Sequence, residues 1–62
     1  MTILPAHRYL DRSGRIWKIL SVDAGYRYPF LAQGPSSVQS FSEEGRWSNH
    51  IETEYDLVSE AK

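Results

Sequence analysis

The sequence predicts an all-β domain: a small antiparallel barrel or roll of five to six strands, SH3-like in arrangement. Three observations predict it. Segments of five to eight residues are rich in β-branched and aromatic side chains. Turn signals recur about every ten residues, the spacing of small all-β folds. No stretch before the C-terminus holds the three-and-four spacing of a helix.

In chain order, the predicted strands are His7 to Asp11, Arg15 to Val22, Tyr26 to Gln33, Val38 to Ser42 and Arg46 to His50. The breaks between them justify their ends. Arg12-Ser13-Gly14-Arg15 and Glu43-Glu44-Gly45-Arg46 each place a glycine late in a short polar run. That suits a type I turn with a bulge, whose last position needs positive φ. Asp23-Ala24-Gly25 has the same form, and Gly34-Pro35-Ser36-Ser37 reads as a longer loop. Pro29 cannot donate to a ladder, so the third strand is expected at an edge or bulged there.

The C-terminus supports two readings. Ile51, Tyr55 and Val58 follow helical spacing, and Thr53 with Asp56 resembles a capping box. Asp56-Leu57-Val58 also reads as a closing strand that would cover the first edge. The strand is preferred, with a short helical turn as the alternative over 51–61. Alternation assigns the core to Ile16, Leu20 and Val22 on the second strand and to Tyr26, Tyr28, Phe30 and Ala32 on the third. Trp17, Ile19 and Leu31 make the opposite faces apolar too. Such strands are usually covered on both sides. A chain this short lacks a second covering layer, so part of that face is expected to meet a partner.

The length of 62 residues allows one domain, with 1–5 and 60–62 expected as loosely ordered tails. Its 7.2 kDa corresponds to about 10,400 Å² of surface unfolded and about 4,100 Å² folded. If about 60% of the difference is apolar, burial contributes on the order of 95 kcal/mol. Ordering the chain costs about 93 kcal/mol. With a balance so near zero and no cysteine to staple the fold, self-association is expected. The absence of cysteine also excludes thiolate catalysis and thiolate metal sites. No apolar run nears the length of about 20 residues needed to cross a bilayer, and Met1 to Pro5 lack a secretion signal's pattern. A cytoplasmic protein without membrane contact is expected.

The formal charge of −1 hides an asymmetry. Met1 to Leu31 hold five basic and two acidic residues; Ala32 to Lys62 hold two basic and six acidic. This suits either opposed charged faces or two halves that interleave and cancel. His7 and His50 stand outside any ligand spacing, no carboxylate pair sits in apolar surroundings, and the serines fit no nucleophile elbow. The sequence therefore points to no enzyme, no metal and no cofactor.

Binding is better supported. Eight aromatics make up 13% of the chain, and Trp17 and Trp47 each follow a glycine-arginine turn. Arginine grips phosphate bidentately, and an indole offers a face for a base. The candidate ligand-binding residues are Arg15, Trp17, Arg27, Tyr28, Arg46 and Trp47. Core placement of each indole is the competing assignment. Seven cations against eight acids disfavour a nucleic acid polymer, which needs many phosphate contacts. A small phosphorylated ligand needs only two or three arginines, and an aromatic-arginine face also suits a protein partner.

Tyr9, Asp11-Arg12-Ser13-Gly14-Arg15, Tyr28-Pro29-Phe30, Glu44-Gly45-Arg46 and Tyr55-Asp56-Leu57-Val58 together make a further pattern. It resembles a loose group of small phage and prophage accessory proteins with two "DGR"-like turns, a "YP" strand and a closing "DLV". Ser13 and Glu44 stand where such turns often carry aspartate. The resemblance implies a compact all-β protein acting by stoichiometric binding, often in counter-defence within the host cytoplasm. Most members have no assigned activity, so no site residue is carried over. Two functions fit: an oligomer sequestering a phosphorylated nucleotide-type ligand, or an inhibitor docking on a host protein.

Overall fold

The computed structural model describes residues 2–61; Met1 and Lys62, expected in the tails, lie outside them. Five strands form one antiparallel sheet: β1 (Arg8–Asp11), β2 (Ile16–Val22), β3 (Phe30–Gln33), β4 (Val38–Phe41) and β5 (Leu57–Glu60). Their order across the sheet is β4-β3-β2-β1-β5. The first four follow as a meander, and β5 returns to cover the free edge of β1. The C-terminal segment thus ends as the closing strand, and the described residues contain no helix. The folded surface of 4038 Å² agrees with the value expected from mass.

The glycine turns follow the sequence closely. Gly14 and Gly45 have φ of 89° and 84°. In each turn, one side chain opens the loop and accepts two backbone N–H groups. Asp11 takes those of Ser13 and Arg15, and Ser42 takes those of Glu44 and Arg46. The two turns are built alike. The Asp23 turn is not, because Gly25 lacks positive φ and the chain stays irregular until Phe30.

Three strand expectations need correction. Arg46 to His50 is no strand, because its donors are taken by side chains: Trp47 N–H by Asp56, Asn49 N–H by Tyr28 and His50 N–H by Ser48. The sheet is consequently open rather than a closed barrel. β4 and β5 do not pair; Leu57 N–H reaches Gly45 C=O at 2.8 Å, in the turn that follows β4. The third strand is internal, and Pro29 precedes it instead of marking an edge. The nearest register shift lies on β2, between Ile19 and Ser21.

The core face of β2 is the reverse of the one assigned. Trp17 and Ile19 are buried, with Ile3, Tyr9, Phe30, Ala32, Phe41 and Leu57, whereas Ile16, Leu20 and Val22 are exposed. The indole fills the most volume, and its N–H finds a buried acceptor in Asp11 (2.9 Å), so the Trp17 face wins. Tyr26 and Tyr28 precede β3 and lie outside the core. Within the described residues of the two tails, Ile3 is buried, Tyr9 Oη donates to Thr2 C=O, and Glu60 belongs to β5. The charged halves interleave where Arg15 meets Glu54 and Arg12 meets Asp56, so part of the asymmetry is neutralised internally.

Ala6 stands at φ 65°, and His7 N–H donates to Leu4 C=O across Pro5-Ala6. This is a type II turn with alanine where glycine is preferred. Ala6→Gly is expected to raise stability by about 0.5 kcal/mol, relief of strain exceeding the added chain entropy. Urea denaturation checks it; a loss of stability would show that Ala6 is unstrained.

Candidate functional site

The six candidate residues divide into two groups. The first gathers about Tyr55. The Arg15 guanidinium lies 4.2 Å from the Tyr55 ring centroid, and Tyr55 meets Trp47 at 5.7 Å and Trp17 at 6.3 Å. Two of these residues have little left for a ligand. Arg15 donates from Nε to Asp11 (2.7 Å) and from Nη2 to Glu54 (3.2 Å), so two carboxylates already neutralise it. Asp11 holds its pKa above the ordinary value. Trp17 is 1% exposed, with Phe41 edge-on at 5.3 Å, so no base can reach its face. Its placement is that of a core residue, as packing of the largest side chain demands.

Trp47 differs. It is 38% exposed, and its indole N–H is held by Gln39 Oε1 at 3.0 Å. Arg46, half-buried beside it, forms no ion pair among the described residues. An oriented, half-open indole thus follows an uncommitted arginine in the chain, two residue types that interface hot spots favour.

The second group is formed by the loop between β2 and β3. Arg27 and Tyr28, with Tyr26, Asp23 and Pro29, line a hollow of about 510 Å³ completed by Ser21, Leu31 and Ser40 of the sheet. That volume falls in the range of small-molecule sites. Tyr26 is 67% exposed, and Tyr28 Oη accepts the Asn49 N–H, which fixes its ring. Arg27 is exposed and without an ion pair among the described residues. Arg15, Arg46 and Trp47 do not line this hollow, so the three arginines expected on phosphates do not share it.

Two residues that organise these surfaces carry no local signal of that role in the sequence. Asp11 gathers Ser13, Arg15 and Trp17 around one carboxylate. Tyr55, which follows helical spacing in the sequence, is the ring joining the two indoles and Arg15. Only contacts across the fold create either role. Among the described residues no three metal-ligating side chains gather, and no helix is long and apolar enough to cross a membrane. No family model, no curated protein and no solved structure matches this chain.

Proposed function

We propose that this chain is a non-catalytic binding protein of the phage accessory kind, acting in the host cytoplasm. It sequesters a small phosphorylated nucleotide-type ligand in the hollow at Tyr26, Arg27 and Tyr28. One observation carries the reading: a hollow of nucleotide size joins an arginine without an ion pair among the described residues to two tyrosines, one widely exposed. Arg27 takes phosphate, and Tyr26 offers a stacking face. The order β4-β3-β2-β1-β5 supports an SH3-like roll, whose loops between strands are natural ligand sites.

Calorimetry against cyclic and linear nucleotides tests it. Heat from at least one nucleotide, reduced at least about tenfold in affinity by Arg27→Ala, is the expected result. Heat unchanged by Arg27→Ala removes the hollow as the site. The second reading, a stoichiometric inhibitor of a host protein, is favoured by the half-open Trp47 beside Arg46 and Tyr55. In that case Trp47→Ala abolishes partner capture, and nucleotides give no heat.

A further inference from the structure

Among the described residues, nothing forms a covering layer over the second face of the sheet. Strand registers place Leu10 beside Ile16, Arg8 beside Lys18, and Leu31 between Ser21 and Ser40 on it. Ile16 is 47% exposed, Leu20 50%, Leu31 38% and Val38 46%. Single exposed apolar residues mean little, but here Leu20 and Leu31 lie on one side of the Arg8–Lys18–Gln33–Val38 row and Leu10 and Ile16 on the other, and apolar residues gathered on one sheet face mark an interaction surface. We propose that a second copy of this chain docks back to back on this face, about a two-fold axis near Leu20 and Leu31.

Size supports it. A molecule 28 by 26 Å across presents at most about 700 Å² per face, so two copies bury at most about 1,400 Å². Stable specific interfaces bury about 1,200–2,000 Å². The near-zero balance of burial against chain ordering supplies the driving force, since the exposed leucines are the apolar area one copy leaves uncovered.

Charge supports a second copy over an unrelated partner. Arg8 and Lys18 sit directly opposite one another, an unfavourable like-charge pair across strands. Asp23, at the other end of the face in the wall of the hollow, has no ion pair among the described residues. A two-fold axis between these ends sets the cationic end of each copy over the Asp23 end of the other, so one contact forms twice. A partner of single sign satisfies only one end. Because Ser21, Leu31 and Ser40 wall the hollow, the second copy also roofs it. The dimer rests on the sheet face and the Asp23 charge and needs no nucleotide, so its test is separate from that of the nucleotide reading.

Sedimentation equilibrium without nucleotide tests it. The wild type is expected to run at twice 7.2 kDa at micromolar concentrations, with a Tm that rises with concentration. Leu20→Lys is expected to weaken association at least about tenfold, and Leu20→Ala less. Circular dichroism shows whether each variant keeps its fold; Leu20→Ala carries the test if Leu20→Lys unfolds. Asp23→Lys, which opposes like charges at both contacts, is expected to weaken association too. A wild type that stays monomeric with a concentration-independent Tm overturns the dimer. Association indifferent to both Leu20 variants overturns the face, and association indifferent to Asp23→Lys overturns the axis.

Discussion

Gly34→Ala is expected to destabilise the protein by about 3 kcal/mol, near the upper end of overpacking costs. The requirement at Gly34 is for space and not for positive φ. A Cβ there would lie 2.5 Å from Trp17 Cζ3, 2.6 Å from Cη2 and 2.8 Å from Cε3, far inside contact distance. The indole cannot give way cheaply. It is sealed, with Phe41 and Tyr55 edge-on and its N–H on Asp11. The strand end is also held, since Gly34 N–H donates to Ser37 C=O at 2.8 Å. Either the ring leaves Asp11 or the end of β3 peels away. A domain of 62 residues holds only about 3–9 kcal/mol in all, so the variant loses about a third or more of its stability. Urea denaturation reads the effect as a lowered midpoint at unchanged slope. Trp17→Phe removes the offending ring atoms, so the double variant should recover part of the loss. Strict additivity of the two would show that Gly34 and Trp17 do not meet.

That contact also shows what the sequence could and could not convey. Gly14 and Gly45 were legible because each sits at a fixed offset in a short polar turn that needs positive φ. Gly25 has the same surroundings in sequence, but its N–H bonds the Asp23 side chain within a wider loop. Gly34 serves a residue 17 positions away, which no local pattern announces. The closing strand was legible because a free β1 edge needs cover. The strand expected at Arg46 to His50 failed because Asp56 and Tyr28 capture its backbone donors.

The same limit governs the surfaces. β2 is apolar on both faces, and alternation cannot choose between two apolar faces. A buried acceptor for the Trp17 N–H decides it, and that acceptor, Asp11, belongs to another strand. Once Trp17 turns inward, Ile16 and Leu20 must face outward, so the unpartnered face and the sealed indole have one cause. Arg15 then follows Asp11 into the cluster and leaves the pool of free cations, while Arg27 and Arg46 stay in it. Counting arginines in the sequence could not separate them.

Acid unfolding is expected to centre on Asp11. Five donors converge on its carboxylate: Ser13 N–H, Ser13 Oγ and Arg15 N–H on Oδ1, and Arg15 Nε and Trp17 Nε1 on Oδ2, all between 2.7 and 2.9 Å. Burial alone would push its pKa up. The bonds from Trp17, Arg15 and Ser13 outweigh burial and bring it from 3.8 to about 2. A folded-state pKa below the unfolded one means the ionised group favours folding. Its contribution is complete above about pH 4 and is lost as pH falls through 3.8 towards 2. Its size is about 2.5 kcal/mol. Asp56 is lowered too: burial opposes ionisation, but the Trp47 and Thr53 N–H groups, the Thr53 hydroxyl and Arg12 favour it. Its loss falls on the same acid side. Asp11→Asn keeps the shape but turns an amide NH₂ towards donors, so a loss of about 3 kcal/mol at pH 7 is expected. The variant's stability should also fall less steeply below pH 4, leaving the Asp56 share. Stability measured by urea between pH 7 and 2 checks both effects. A variant as acid-sensitive as the wild type would show that Asp11 does not hold the core and the first turn together.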